Sequence, residues 1–351
     1  MSRYDKITNN IDWGLLATAG AIMIIGLLCL YSAVRVSQIS IFFKQIMWIF
    51  TGVMIMSIVF AVDYHFHMRS AWPLYILMVF GLMLVLVVGR EISGAKRWLS
   101  LGPLGLQPSE LAKIVIIIWM AYWGERKVQS EGYGLKELMI PALFILIPVG
   151  LILAEPDLGT AGIVALIAVI MLLLLGINRP TFVMLSAVFV SILPFAWLSL
   201  KDYQRNRILT FLDPSRDPLG SGYHATQSKI AVGSGGLWGK GFLEGTQTQL
   251  SFLPEHHTDF IFSVVAEELG FAGSALLILL YMILITKIIQ IGLKAKDRFG
   301  AMICFGIAGY FVLHVFINIS MAMGIFPVVG VPLPFVSYGG SFMFMNLICI
   351  G

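Results

Sequence analysis

The chain has few charged residues and few cysteines, and each shortage limits the class of protein to which it can belong. Only 12% of its 351 residues are charged, and there are three cysteines: Cys29, Cys304 and Cys349. All three lie inside apolar stretches, so they form no spaced disulfide framework, and they leave the redox compartment undetermined. So small a charged fraction excludes an ordinary soluble domain, in which about a quarter of the residues are charged.

The sequence also lacks internal repeats and low-complexity tracts, and we expect no cleavable leader. Its first ten residues, MSRYDKITNN, are polar, and the apolar run that follows has no small-residue cleavage site behind it. We therefore expect an uncleaved first membrane span rather than a signal peptide. Residues 1–351 are expected to form a single membrane domain with one extracytoplasmic elaboration, residues 201–270.

Long apolar runs are what the chain has in abundance. Hydrophobic residues make up 58% of it, and the mean hydropathy is +0.90. A helix crosses about 30 Å of hydrocarbon with roughly 20 residues, so such runs predict membrane spans. There are nine complete runs and one partial run: 13–34, 41–62, 72–89, 109–123, 138–153, 159–176, 181–200, 271–291, 301–323 and a last one from about residue 342. The predicted fold class is an all-α polytopic integral membrane protein with about ten transmembrane helices, the last one truncated.

The short loops predict an orientation, because Lys and Arg accumulate on the cytoplasmic side of a membrane. With the N-terminus inside, the short outside connections at 35–40, 154–158 and 324–336 hold only Arg35. The inside segments then hold the other short-loop cations: Arg3, Lys6, Arg69, Arg126, Lys127, Lys136, Arg179, Lys287, Lys294, Lys296 and Arg298. We therefore expect a cytoplasmic N-terminus.

Two outside loops are much longer than the other connectors: residues 90–108, and residues 201–270 between spans seven and eight. Loops of such length in a compact fold are usually functional or disordered. The longer one carries apolar residues such as Phe211 and Trp238, which give it enough apolar surface to dock on the helices. Its glycine run at 233–241, GSGGLWGKG, suits either a phosphate-binding backbone or a set of turns, and it lacks the spacing of a P-loop.

Ionisable groups concentrate at 251–273, where a helix enters the membrane. This stretch carries six of them: Glu255, His256, His257, Asp259, Glu267 and Glu268. Such groups are costly to desolvate beside apolar helices, so a functional site is the default hypothesis. The alternative is helix capping by Thr258 or Asp259, which explains one of these two residues but not the whole cluster.

A second group of charges opens the fourth span, in the motif QPSELAK. Pro108 suits the first helical position and Glu110 complements the helix dipole, but Lys113 has no such structural explanation. Residues three apart share a helix face, so Glu110 and Lys113 can pair and face the bundle interior or a wet cavity. A purely structural ion pair is the alternative.

Two further motifs lie on the outer side. AEPDLGT, residues 154–160, is an acidic turn in which Asp157 could cap the sixth span. GVPLPFVSYGGS, residues 330–341, contains prolines that do not fit an uninterrupted helix. Its backbone must therefore be shielded from lipid by protein or water. We expect it to line the same cavity as Asp259; the alternative is a connector between spans nine and ten.

The outer side thus combines cations and embedded acids above lipid-facing grooves. Cations for an anionic headgroup and a carboxylate for proton removal suit an enzyme acting on a lipid-linked diphosphate sugar. A transporter or flippase fits the same composition. The adjacent His256 and His257 match no compact zinc spacing. A divalent cation, Mg²⁺ or Mn²⁺, shared between a carboxylate and a substrate diphosphate suits oxygen ligands better.

Several motifs together resemble the SEDS family (shape, elongation, division and sporulation) of bacterial cell-wall proteins. They are QPSELAK, AEPDLGT, YQRNRILTFLDPSRDPLGSGYHATQSKIAVGSGGLWGKG, FLPEHHTDFIFSVVAEELG and GVPLPFVSYGGS. The resemblance extends from about residue 94 to residue 341 and is specific in the combination of motifs. GVPLP is similar to the branch of the family that acts in cell elongation. The main departures expected from the family pattern are the missing end of the tenth helix and the missing cytoplasmic tail.

The resemblance implies a peptidoglycan glycosyltransferase that polymerises lipid II at the outer face of the bacterial cytoplasmic membrane, during elongation and rod-shape maintenance. It also implies a class B penicillin-binding protein as the transpeptidase partner, membrane lipids around the chain, and no nucleic acid. The family's catalytic residues fall on Asp259, Glu110 and Lys113.

In the expected inverting transfer, Asp259 removes the proton from the acceptor's GlcNAc 4-hydroxyl, which attacks the donor's anomeric carbon. Lys113 and other cations would neutralise the leaving lipid diphosphate. The residues expected to bind substrate are Arg205, Arg207, Lys229, Lys240, His257 and Ser337. The competing hypotheses are a lipid II flippase, which makes no bond, and a structural scaffold, which would need no acids in the membrane.

Overall fold

A computed structural model describes residues 11–36, 38–92, 95–101, 104–127, 132–217, 220–249 and 257–351. Most of these residues lie in helices, which confirms the prediction of an all-α polytopic membrane fold. The helices, in chain order, are α1 Trp13–Val34, α2 Ile39–Ala61, α3 Tyr64–Arg69, α4 Ala71–Val88, α5 Pro108–Arg126, α6 Leu135–Ala154, α7 Leu158–Leu175, α8 Arg179–Ser199, α9 Asp202–Leu212, α10 Ser221–Ser234, α11 Thr246–Gln249, α12 Ile261–Leu293, α13 Arg298–Ala322 and α14 Gly340–Ile350. A short 3₁₀ turn, Pro214–Arg216, follows α9.

The long helices coincide with the predicted apolar runs. Seven of the described helices are long and apolar enough to cross a membrane: α1, α2, α4, α6, α7, α12 and α13. Helices α5, α8 and α14 occupy the remaining predicted runs, so the total of ten spans stays a prediction. The largest difference in bounds is at α12, which begins at Ile261, ten residues before the predicted start of that span.

A small antiparallel sheet lies in the 90–108 loop, for which the sequence predicts no strand. Its strands are β1 Arg90–Ile92, β2 Ala95–Leu101 and β3 Leu104–Leu106, in that order. So small a sheet is marginal by itself. Strand β2 packs against α4, and Ser341 Oγ donates to the Gly105 carbonyl of β3 at 2.9 Å. The sheet is thus tied to the start of α14.

Helix α5 lies in the interior of the bundle, packed against α4, α7 and α13, and most of its residues are buried. Helix α12 packs against α1 and α13, while α14 packs against α2. Helix α10, within the 201–270 loop, packs against both α12 and α13. The long loop therefore docks on α13 and on α12, the helix that carries Glu267 and Glu268.

Helix α12 is broken at Gly270. This residue has φ +66° and ψ −162°, which are not helical values, and glycine adopts a positive φ without steric cost. A Cβ atom at Gly270 would lie 2.2 Å from the backbone nitrogen of Gly239. Glycine is therefore required here both by the backbone conformation and by the close approach of the glycine run.

The glycine run at 233–241 supplies the hydrogen bonds that the break in α12 would otherwise lose. Phe271 and Ala272 donate their backbone N–H groups to carbonyls of the run at 2.9 and 3.0 Å. Lys240 and Gly241 donate theirs to carbonyls of α12 at 3.0 and 3.1 Å. Of the two interpretations left open for this run, the structure therefore supports the set of turns over a phosphate-binding backbone.

Candidate active site

Asp259 lies just before α12, beside the non-helical segment 330–339. Its backbone carbonyl accepts a hydrogen bond from Asn318 Nδ2 at 2.8 Å. A Cβ atom on Gly330 would lie 3.5 Å from Asp259 Oδ2, so this carboxylate faces the segment's first residue. The N-cap position of α12 is Phe260, one residue beyond Asp259. Asp259 is partly exposed, so a substrate can reach it.

Segment 330–339 holds the residues before α12 by two hydrogen bonds. Ser337 Oγ donates to the Thr258 carbonyl at 2.6 Å, and the Tyr338 N–H donates to the His257 carbonyl at 2.9 Å. Ser337 is fully buried, and its hydroxyl also accepts a backbone N–H of the same segment at 2.8 Å. We expected Ser337 to bind substrate. In the structure its hydroxyl instead positions the backbone next to Asp259.

Helix α13 supplies two fully buried polar side chains to the same segment. Asn318 Nδ2 donates to the Val331 carbonyl at 2.7 Å as well as to the carbonyl of Asp259. One turn earlier, His314 Nδ1 lies 3.2 Å from the Pro332 carbonyl oxygen. Non-helical backbone in a membrane protein needs such partners, because lipid offers none. His314 and Asn318 were not among the predicted site residues, although two polar residues at i and i+4 in an apolar helix are a usable signal.

Glu110 and Lys113 of α5 form the predicted ion pair in the bundle interior. Lys113 Nζ lies 2.7 Å from Glu110 Oε1, and the two side chains are 1% and 6% exposed. The ammonium group also lies 3.2 Å from His314 Nε2 and 5.5 Å from the centre of the Phe342 ring. Because these groups enclose it, the expected contact of Lys113 with a leaving diphosphate has no support from the geometry. Its link to Asp259 runs through His314.

Two of the cations expected to bind substrate, Arg207 and Lys229, are exposed and line one small recess. Lys229 packs so closely on Gly324 that a Cβ atom there would collide with the lysine side chain. Segment 324–330 continues from this point to the carboxylate of Asp259, a distance of at most about 20 Å for an extended chain. These two cations therefore lie at the end of segment 324–330 away from Asp259, within about 20 Å of its carboxylate.

The other two expected cations make contacts within the protein. Arg205 Nε donates to the Trp197 carbonyl at 3.1 Å, and its guanidinium also bonds the Leu198 carbonyl at the end of α8. Lys240 Nζ lies 2.8 Å from Glu267 Oε1, and the Glu267 side chain has no exposed surface. Each side chain therefore uses part of its donor capacity within the protein. Their assignment to substrate binding therefore has no support from the geometry.

The acidic side chains of α12, Glu267 and Glu268, contact neighbouring segments of the chain and are not directed toward Asp259. Glu267 holds the glycine run through Lys240 and also accepts the Gln247 N–H at 2.9 Å. Glu268 accepts a hydrogen bond from Ser32 of α1. Both carboxylates are buried. The cluster expected from sequence is therefore divided, with Glu267 and Glu268 directed toward neighbouring segments.

The described residues do not build a metal site of their own. No three His, Cys, Asp or Glu side chains come together to hold an ion within the described part of the chain. Glu255 and His256, two of the ionisable groups of the 251–273 stretch, lie outside the described residues. The His257 ring is described, with its centre 6.0 Å from that of Tyr338. A divalent cation held jointly with a substrate stays an expectation.

A separate buried acid, Glu155, lies in the turn between α6 and α7. It is fully buried, and neither carboxylate oxygen has a hydrogen-bond partner among the residues that the structure describes. Burial raises the pKa of Glu155 to about 8, with Asp157 adding to the rise and Arg97 opposing it. Arg97 of β2 also donates to the Pro156 carbonyl at 2.8 Å. Asp157 accepts a hydrogen bond from the Thr160 N–H at 3.1 Å. It therefore caps α7, the sixth predicted span, as the sequence suggested.

Replacing Glu155 with glutamine should remove a pH dependence of stability. A carboxyl whose pKa is raised on folding stabilises the fold fully only below its unfolded pKa, and this contribution is lost as pH rises through the folded value of about 8. We therefore expect Glu155→Gln to melt at a higher temperature than wild type at about pH 9, with the difference shrinking toward about pH 5. The exposed Glu244, changed to glutamine, is the control and should show no such trend. A difference that does not vary with pH would contradict the assignment.

Comparison with known sequences is consistent with this architecture. The family model described as cell cycle protein, FtsW/RodA/SpoVE, matches residues 9–351. Peptidoglycan glycosyltransferase MrdB of Escherichia coli strain K12 is 42% identical over 339 residues, which cover 96% of this chain and 90% of the relative. Peptidoglycan glycosyltransferase RodA of Treponema pallidum is 32% identical, with 98% of this chain and 96% of the relative covered.

Solved structures agree with the sequence relatives. The crystal structure of rod shape determining protein RodA from Thermus thermophilus is similar with a TM-score of 0.72 and 30% identity, covering 97% of this chain and 94% of that one. A chain of a peptidoglycan synthase complex, studied for the structural coordination of polymerization and crosslinking, gives a TM-score of 0.83 and 32% identity, with 97% and 95% covered. The family model and these identities confirm the resemblance seen in the motifs: the chain belongs to the FtsW/RodA/SpoVE, or SEDS, family.

Proposed function

We propose that the chain is a peptidoglycan glycosyltransferase that polymerises lipid II into glycan strands. Its relatives MrdB and RodA carry the activity in their names. The observation that carries the proposal is Asp259, a partly exposed carboxylate whose backbone is held by Asn318 and whose preceding residue is held by Ser337. A carboxylate held in this way is suited to act as a general base on a sugar hydroxyl.

In the proposed reaction, Asp259 takes the proton from the GlcNAc 4-hydroxyl of the acceptor. The hydroxyl oxygen bonds to the anomeric carbon of the donor as the bond from that carbon to the lipid diphosphate breaks, with inversion. The diphosphate leaves as an anion, and we assign Arg207 and Lys229, which are exposed and line one recess, to balance its charge. The proton then passes from Asp259 to water. A shared Mg²⁺ or Mn²⁺ would add positive charge at the diphosphate.

The proposal extends to cellular location and partner. The apolar helices place the chain in a membrane. We assign it to the bacterial cytoplasmic membrane with Asp259 at the outer face, on the distribution of Lys and Arg in the short loops. The likeness to a chain of a synthase complex that couples polymerization to crosslinking supports a class B penicillin-binding protein as partner. The proposed role is in cell elongation and rod-shape maintenance.

Purified protein supplied with lipid II separates a polymerase from a flippase. We expect glycan chains, resolved by length on a gel, when the protein and its partner are incubated with lipid II, and no chains when the protein is omitted. A flippase moves the lipid without making a bond. Transfer of lipid II across vesicle membranes with no glycan formed would overturn the polymerase and favour the flippase.

Labelling of single cysteines tests the proposed orientation. In a background without Cys29, Cys304 and Cys349, an impermeant thiol reagent should label Ser215→Cys in intact cells. It should label Ser130→Cys only after the membrane is opened, because the short-loop cations place that loop inside. Labelling of Ser130→Cys but not of Ser215→Cys in intact cells would reverse the topology.

A further inference from the structure

A buried series of contacts links the Glu110–Lys113 pair to the segment beside Asp259, and His314 is its middle member. His314 has no exposed surface. Its Nε2 lies 3.2 Å from Lys113 Nζ, and its Nδ1 lies 3.2 Å from the Pro332 carbonyl oxygen. Both ring nitrogens therefore have a partner, and the two partners belong to different parts of the chain.

The two contacts specify the tautomer of the imidazole. An ammonium group carries only donors, so the Nε2 atom that faces Lys113 must accept a hydrogen bond. The proton of the neutral ring then lies on Nδ1, which donates to the Pro332 carbonyl. The hydrogen bond at one ring nitrogen thus sets the protonation of the other. Lys113 orients His314, and His314 in turn holds Pro332.

The Pro332 carbonyl lies between the two places where the 330–339 segment contacts the backbone at Asp259. On one side, the side-chain amide of Asn318 donates to the carbonyl of Val331 and also to the carbonyl of Asp259. On the other side, the Leu333 N–H donates to the Ser337 hydroxyl. This hydroxyl in turn donates to the carbonyl of Thr258, the residue before Asp259. A shift of residue 332 would therefore disturb both contacts that place the carboxylate.

We propose that His314 is a positioning residue for the transfer reaction, holding through Pro332 the segment that places Asp259 while the Glu110–Lys113 pair holds His314. The inference rests on the proposed function, in which Asp259 is the base. It assigns the ion pair an indirect role that needs no contact with substrate. The expected effect is large, because a misplacement of about 1 Å at a reacting group can cost roughly 10²-fold in rate.

Three substitutions separate the two bonds of His314. His314→Leu removes both, His314→Asn keeps a donor near the position of Nδ1, and His314→Gln keeps an acceptor near that of Nε2. In lipid II polymerisation by purified protein with its partner, we expect kcat of His314→Leu to fall roughly 10- to 100-fold. KM should change by less than about twofold, since substrate contacts are intact. His314→Asn should recover most of kcat because it keeps the bond to Pro332, and His314→Gln should not.

Tyr75→Phe is the matched control. Tyr75 is also buried and donates to one backbone carbonyl, that of Phe144, at 2.9 Å. Its loss should lower the melting temperature with kcat near that of wild type. If kcat follows the melting temperature in the same way for Tyr75→Phe and the His314 variants, His314 has only a structural role and the proposal is wrong.

The comparison of His314→Asn with His314→Gln decides the matter even if His314→Leu fails to fold. Equal kcat for the two variants overturns the proposed role of the Nδ1 bond. Asp259→Asn, measured in the same assay, separates this inference from the proposed function. If Asp259→Asn is active, Asp259 is not the general base and the proposed function loses its catalytic residue. If Asp259→Asn is inactive while the His314 variants are fully active, only the positioning role of His314 is overturned.

Discussion

Asp259→Asn should abolish glycan polymerisation and leave the protein folded. If Asp259 is the general base, the amide cannot accept the proton, and a contribution of about 10²- to 10⁴-fold is lost. The amide has nearly the same shape, and the bond from Asn318 is made to the main-chain carbonyl, so stability should change by no more than about 1 kcal/mol. The measurement is chain formation from lipid II by purified protein with its partner, beside a thermal melt of the same preparation.

Asp202→Asn is the control for this experiment. Asp202 is an exposed acid in the first turn of α9, and its replacement should leave polymerisation at the wild-type rate. A well-folded Asp259→Asn protein that polymerises lipid II at a near-normal rate would remove Asp259 from the role of base. The proton acceptor would then have to be sought at Glu255 or at the pair His256 and His257.

Lys113→Met should severely damage both stability and activity. It leaves the buried Glu110 carboxylate without its cation, and Oε2 of this carboxylate already has no hydrogen-bond partner within the described part of the chain. Breaking a buried pair in this way typically costs about 3–5 kcal/mol. It also removes the ammonium group that lies 3.2 Å from His314 Nε2. We therefore expect strong loss of polymerisation in the fraction of protein that remains folded, measured per folded molecule after a thermal melt.

Adding Glu110→Gln to Lys113→Met should restore part of the lost stability, because no unpaired charge is then buried. It should cost little further activity, since the two residues act as one unit. Losses that multiply independently in the double variant would count against that coupling. Lys287→Met is the control: its pair with Asp12 is 3.5 Å long and about one-third exposed, and such pairs contribute about 0–1 kcal/mol.

The sequence was sufficient wherever the determining interaction is local. Hydropathy located the long helices, because about 20 consecutive apolar residues are needed to cross a bilayer. The spacing of three residues predicted the contact of Glu110 with Lys113, and Asp157 was recognised as a possible cap for the helix after it. Asp259 was singled out because ionisable groups are costly beside apolar helices. Each inference uses neighbours along the chain and needs no knowledge of how the helices pack.

Only the tertiary structure decided which distant groups meet. Lys113 and His314 are 201 residues apart in sequence, and their contact depends on how α5 and α13 are rotated against each other, which hydropathy does not specify. The same holds for Lys240, which charge and loop position assigned to substrate but which pairs with Glu267 across the break in α12. A buried charge or open backbone group in lipid must find a partner. Sequence can show that such a partner is needed, but packing determines which residue supplies it.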